Sequence, residues 1–233
     1  MSKGFKIEYA MQDPALAISP VFQVLSRKPP RGKLDVEQKF GKAALHWRGP
    51  DALGILEQSV LLGLLAIAPQ QGIRVASQAP KTTGKKLLKK LAQHPLFLDD
   101  ELAVVCVSWA GLERAVYATI GGRNQLLIRT ALKRLAETTL WQKTEDVEYE
   151  SRLLAWIAGD DDKVAVVLNR RATAALYGGQ YKIISLHERN ALCTEPAKAL
   201  HAWLSGYMRP KKVYRLKLDK LQKHVWGSEA TGR

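Results

Sequence analysis

Cysteine is almost absent from this 233-residue chain: Cys106 and Cys193 are the only two. They lie too far apart for metal-ligand spacing and make no disulfide framework. Cys106 sits in the apolar run 102–107, where a free thiol packs as a small hydrophobe. Long apolar runs are lacking as well. The longest, 60–69, is interrupted by Gly63 and falls far short of the roughly 20 residues a membrane-spanning helix needs. The opening Met1-Ser2-Lys3-Gly4 has no apolar signal stretch. A cytoplasmic protein with no membrane partner is expected. The five histidines, His46, His94, His187, His201 and His224, lack the i,i+4 spacing of a helical zinc site. Gly121-Gly122-Arg123 is followed by no Gly-Lys-Ser/Thr, so it is not a phosphate loop. Asp160-Asp161-Asp162 has no ordered ligand partner beside it and reads as a hairpin turn. No serine or cysteine sits in a nucleophile elbow. These absences point away from an enzyme, a metal site and a cofactor.

Acidic residues are the other scarce class. Against 36 Lys+Arg stand 22 Asp+Glu, a net charge of +14 and a pI near 9.8. A polyanion is the partner to look for, because each cation placed on a phosphate releases a condensed counterion. Net charge informs on association and not on fold, so the fold must be read from pattern.

Residues 1–32, with Pro14, Pro20, Pro29 and Pro30, read as an extended arm with one short helix over 21–25. Segments 33–40 and 43–48 form a hairpin around Gly41. Asp51 is the expected cap of a helix over 52–68, which Pro69 and Gly72 stop. A short lysine-rich helix is expected over 85–93, and 102–107 is a strand. Ser108 then caps a helix over 109–119, Gly121-Gly122 turns the chain, and a second helix runs over 123–137. Two helices joined by a short glycine turn are the helix-turn-helix pattern. In projection, Asn124, Ile128, Ala131, Leu132 and Leu135 share one face of the second helix, and Arg123, Leu126, Arg129, Thr130 and Lys133 the other. A recognition helix needs that division, with its first residues nearest the base edges. Arg123, Asn124 and Gln125 are therefore candidates for base contact, and Arg129, Thr130 and Lys133 for phosphates or flanking bases.

Downstream, 140–143 and 152–157 read as strands around an acidic turn over 144–150, and a turn at 159–162 leads into a strand over 163–169. A helix-turn-helix followed by a hairpin is a winged helix. A helix over 171–177, an extended stretch over 181–184 and a strong helix over 194–207 follow. Segment 209–217 is basic and partly extended, and Asp219 is read as the cap of a helix over 220–225. Arg209, Lys211, Lys212, Arg215, Lys217, Lys220 and Lys223 are candidate phosphate contacts, with a solvated basic edge as the alternative reading. Trp109, Trp141, Trp156 and Trp203 fall in apolar patterns and are assigned to the core; Trp47 and Trp226 are also expected to pack.

Several segments carry a family likeness. They are Lys33-Leu34-Asp35-Val36, the apolar stretch 53–69, Leu168-Asn169 followed by 175–179 and Gln180-Tyr181, and Leu200-His201 through Gly206 followed by Pro210-Lys211. The most specific is His224-Val225-Trp226-Gly227-Ser228-Glu229-Ala230-Thr231-Gly232. In this order and spacing the chain resembles the RepC replication initiators of IncQ-like plasmids from about Pro20 onward. The resemblance implies tandem winged-helix domains in an α+β fold, binding of iteron repeats in double-stranded DNA at a plasmid origin, and help in opening an AT-rich segment. It also implies delivery of a plasmid helicase, with a primase and a homodimer as further partners, and neither ATP nor metal. The domains expected are 1–180, with arm and linker helix, and 181–233. The second is expected to be incomplete, because a Ser-Glu-Ala segment like 228–230 leads in the family into a basic recognition helix and a second wing. A winged-helix transcriptional regulator, or an interaction or competitor module that docks on an initiator, stays open as the alternative.

Overall fold

The computed structural model describes residues 8–25, 30–75, 102–117, 122–159 and 162–227. In chain order they form β1 (Tyr9–Gln12), α1 (Pro14–Ile18), β2 (Leu34–Phe40), β3 (Ala43–Gly49), α2 (Ile55–Gln71), β4 (Gly72–Val75) and β5 (Leu102–Ser108). Then come α3 (Trp109–Tyr117), α4 (Gly122–Glu137), β6 (Thr139–Lys143), β7 (Glu148–Arg152), β8 (Leu154–Ala158) and β9 (Lys163–Leu168). The chain continues through α5 (Arg170–Tyr177), β10 (Lys182–Ser185), α6 (Leu186–Ala191), α7 (Glu195–Tyr207) and α8 (Leu218–Trp226). Helices and antiparallel sheets mix, as an α+β class requires.

Three antiparallel sheets result: β1-β10, β2-β3-β6-β7 and β4-β5-β9-β8. α2 lies at their centre. From Val60 to Ala68 it is apolar on every face, the pattern of a helix buried on all sides; Val60, Leu61, Leu62, Leu64 and Leu65 are all buried. Against it pack α3, α4, β1 and β5. Gly63 sets the spacing to α3, for a Cβ there would stand 3.3 Å from the Ala115 Cβ.

The hairpin around Gly41, α3, α4, α5 and α7 lie where sequence pattern puts them. Other segments differ, each for a physical reason. Residues 21–25 are not helical; Phe22 bridges to Leu53 instead. The arm's helix is α1, with Asp13 as N-cap accepting from the Leu16 N–H at 3.2 Å and Pro14 at its first position. α2 begins at Ile55, because the Asp51 carboxylate is engaged by Arg134. Glu57 Oε2 accepts the Gly54 N–H at 2.8 Å instead, the reach-back half of a capping box. Pro69 sits inside the last turns and does not end the helix. The helix expected over 85–93 lies outside the described residues.

The span 139–158 departs most. The expected acidic turn 144–150 contains the start of β7, and the strand expected over 152–157 is split at Leu153. There the chain leaves one sheet for the next: β7 pairs with β6, and β8 pairs with β9. The Leu153 N–H donates to the Thr138 carbonyl at 2.9 Å, and its side chain is buried. Trp141 is 41% exposed and not core, because Leu140 takes the inward position and alternation turns Trp141 outward. Trp226 is 47% exposed, whereas Trp47, Trp109 and Trp203 are buried. Asp219 lies in the first turn of α8 and is not its cap; Lys217 holds that position.

The boundary expected at 180/181 is bridged by extensive packing. β10 completes the two-stranded sheet with β1, and α7 packs on α1. Arg189 of α6 is buried against α2, donating to Ser59 Oγ at 2.9 Å and Gln58 Oε1 at 2.8 Å. Arg171 of α5 holds Asp13 through two bonds of 2.8 and 3.0 Å and reaches Gln142 of β6 at 2.8 Å.

Candidate nucleic-acid interface

α3 and α4 form the helix pair. Ser108 ends β5 and starts α3, its hydroxyl accepting the Gly111 N–H at 3.1 Å. The division of α4 into two faces holds where core packing decides it. Ile128, Ala131, Leu132 and Leu135 are all buried completely. Asn124 and Gln125 are half-buried, and Leu126 and Lys133 are exposed. Arg123 belongs to α4, but its side chain lies outside the described residues.

The outward residues are not equally free. The Arg129 guanidinium lies 4.0 Å above the Trp109 ring of α3. Trp109 in turn meets Trp156 of β8 edge to face at 6.4 Å. Arg129 thus braces α4 against its neighbours. The Thr130 hydroxyl donates to the Leu126 carbonyl at 2.9 Å. Lys133 Nζ lies 4.0 Å from Glu137, an exposed i,i+4 pair.

The orientation of α4 rests on a buried charge cluster that sequence pattern did not single out. Glu57, 0% exposed, accepts from Arg31 Nη1 at 2.9 Å and from Arg134 Nη1 at 3.0 Å with Oε1, while Oε2 takes the Gly54 N–H. Arg134 also donates from Nε to Asp51 at 3.0 Å. Burial opposes the Arg134 charge, but the bonds to Asp51 and Glu57 outweigh it and hold the guanidinium above its ordinary range. One carboxylate thereby joins the arm, the start of α2 and the last turns of α4. The signal was available: Glu57 is the single charged residue in helix α2, and a buried charge must be paired.

The second candidate set lies on different elements, in the segment between α7 and α8 and on α8 itself. Arg209, Lys211, Lys212, Arg215, Lys217, Lys220 and Lys223 are all exposed. The segment is irregular and fixed by aromatics. Tyr214 Oη accepts the Arg209 N–H at 3.1 Å, and its ring meets Tyr207 at 5.5 Å. Tyr207 stacks on Trp203 at 4.9 Å, and Trp203 on His224 at 4.4 Å. Lys220 Nζ lies 4.7 Å above the Tyr207 ring. Burial first, with Lys220 and Lys223 nearby, pushes His224 down to about 4, so it is neutral at pH 7. Among the described residues no group of His, Cys, Asp and Glu is placed to hold a metal ion, and no helix is long and apolar enough to cross a membrane.

The fold is similar to that of domains 2 and 3 of RctB, solved as selenomethionine derivatives. The likeness has a TM-score of 0.53 at 12% identity and covers 94% of this chain and 79% of that one. A second RctB structure of domains 2–3 matches at a TM-score of 0.42 and 10% identity, over 85% and 70% of the two chains. No curated protein sequence matches the chain. Residues 4–233 match the family described as Replication protein C (RepC), and the chain belongs to that family. It is a replication protein.

Proposed function

We propose that the chain initiates replication by binding double-stranded repeats at a plasmid origin through α4, with the basic segment after α7 adding phosphate contacts. Supporting this is one observation above the rest: α4 buries Ile128, Ala131, Leu132 and Leu135 and leaves Leu126 and Lys133 exposed beside the half-buried Asn124 and Gln125, on a helix locked in place by Arg134. The order of elements supports a winged-helix reading of this unit. α3 and α4 lie between β5 and β8, and the β8–β9 hairpin returns to pair with β5 in the order β5-β9-β8. Opening of an adjacent AT-rich segment and delivery of a helicase belong to the same proposal, as does the absence of any catalytic step.

The test is binding of the full-length chain to a duplex that it selects from a random-sequence pool. At fixed salt, Asn124→Ala or Gln125→Ala weakens binding to that duplex by roughly 1–3 kcal/mol and leaves scrambled duplex unaffected. Replacing Lys211, Lys212 and Lys217 together flattens the slope of log affinity against log salt by up to about 0.9 for each phosphate no longer neutralised. Unchanged affinity in the first case, or an unchanged slope in the second, would refute the corresponding surface.

A further inference from the structure

Leu126 stands near the start of α4, 67% exposed, and Leu127 beside it is 40% exposed. A single exposed leucine is ordinary on a protein surface. This one is not in ordinary company. Its neighbours on α4 are Arg123, Asn124, Gln125, Arg129 and Lys133, and Glu137 is the only acid in the helix. Arg129 is drawn onto Trp109, and the Thr130 hydroxyl is spent on the Leu126 carbonyl itself. Along the outward stripe 126, 129/130, 133, Leu126 and Lys133 remain the most available side chains. Lys133 is suited to a phosphate. Leu126 has no hydrogen-bonding group and suits only an apolar feature of the ligand.

The major groove of DNA offers one such feature, the 5-methyl group of thymine. We infer that Leu126 reads a thymine methyl, and that with Gln125 it selects an A·T-containing step at the start of the recognition helix. An amide side chain pairs with the N6/N7 edge of adenine, so adjacent amide and apolar residues match the two halves of such a step. This inference rests on the DNA-binding reading of α4 given above.

The experiment separates the two. The full-length chain first selects a duplex from a random pool. Each thymine of that duplex is then replaced in turn by deoxyuridine, which lacks only the methyl. Burying one methyl corresponds to about a fourfold change in affinity. Wild-type protein should lose about fourfold at one or two thymines. Leu126→Ala should bind the thymine duplex about fourfold more weakly and show no further loss at those same positions. Because Leu126 is exposed and alanine favours a helix, the variant keeps its fold. An equal uracil penalty in both proteins, or no penalty at any thymine, overturns the inference while leaving DNA binding standing. Failure to enrich any sequence from the pool overturns the reading of α4 itself, and this inference with it.

Discussion

Glu57→Ala probes the buried carboxylate that fixes α4 against α2. The substitution removes three hydrogen bonds at once: 2.9 Å to Arg31, 3.0 Å to Arg134 and 2.8 Å to the Gly54 N–H. Breaking a buried charged pair by deleting one partner costs about 3–5 kcal/mol. Two features soften the loss here. Arg134 keeps Asp51 at 3.0 Å, and Arg31 keeps the Ala52 carbonyl at 3.3 Å. Both arginines are also partly exposed, at 23% and 28%, so water can reach them. The expected destabilisation is therefore near the lower end, about 3 kcal/mol. Against a total stability of about 5–15 kcal/mol, that is a fifth or more of what holds a chain of this kind folded. Glu57→Gln keeps the shape and one acceptor oxygen, and should cost about half as much. Urea unfolding followed by tryptophan fluorescence reads both, with an unchanged slope certifying that the transition is still the same one. The pairing itself is isolated by a double-mutant cycle with Arg134→Met, expected to give about 1–3 kcal/mol of coupling. If Glu57→Ala unfolds within about 1 kcal/mol of wild type, the carboxylate is not holding α4, and the anchoring argument fails.

Two further outcomes follow from packing and from charge. A Cβ on Gly206 would meet the Ala17 Cβ at 2.8 Å and the Ala17 backbone at 3.2 Å. Gly206→Val should thus push α7 off α1 and cost about 1–3 kcal/mol in urea unfolding, while Gly32→Ala, which meets nothing within 4 Å, should stay near neutral; equal effects at the two sites would deny the close approach. His224 is held neutral, its pKa near 4 against 6.5 when unfolded, so the unfolded chain takes up a proton first as pH falls. Its contribution to stability is intact above pH 6.5 and is lost progressively down to about pH 4, by about 1–2 kcal/mol after allowing for its partial exposure. Replacing it by Phe should remove that part of the acid slope, and an identical slope in wild type and His224→Phe would contradict the assignment.

Much of this fold was legible because its signals are local. Ser108 was legible as the cap of α3, and its hydroxyl accepts the Gly111 N–H, because a cap is a short-range bond that its own residue type announces; Asp51 and Asp219 carry the same signal but do not cap α2 and α8. The buried face of α4 was legible because helical period alone selects Ile128, Ala131, Leu132 and Leu135. Sheet membership was not. Alternation identifies a strand without naming its partner, so nothing in 139–158 foretells that β6 pairs with β3 while β8 pairs with β9 at the edge of another sheet. Nor does it foretell a break at Leu153. Parity errors are costly for the same reason: Trp141 sits one residue from Leu140, and that single step places it outside rather than in the core. Glu57 shows a different kind of miss. A lone acid in an apolar helix is a local signal, but what it demands is a distant partner, and Arg134 declares itself only once α2 and α4 are packed.

The same distinction bears on which residues of α4 the DNA-binding proposal can draw on. Projection sorts side chains into inward and outward, yet facing outward does not leave a side chain free to bind. The pair Lys133–Glu137 is exposed and worth about 0.3–0.5 kcal/mol, so a phosphate can displace it at little cost. The Arg129–Trp109 stack is partly desolvated, and such contacts reach about 0.5–2 kcal/mol. Moving Arg129 to a phosphate would forfeit that and also loosen Trp109 from the helix it braces. Its guanidinium edge can still meet a phosphate only if the ring stays beneath it. Thr130 would have to give up the Leu126 carbonyl. On the proposal that α4 binds DNA, this ordering favours the first turns, with Asn124, Gln125 and Leu126, for direct readout. On the same proposal Lys133 would meet the backbone, and Arg129, stacked on Trp109, would act as a support and not as a contact. The proposal gives the seven exposed cations of the segment after α7 and of α8 the sequence-independent affinity, so that a short run of residues at the start of α4 need supply only discrimination.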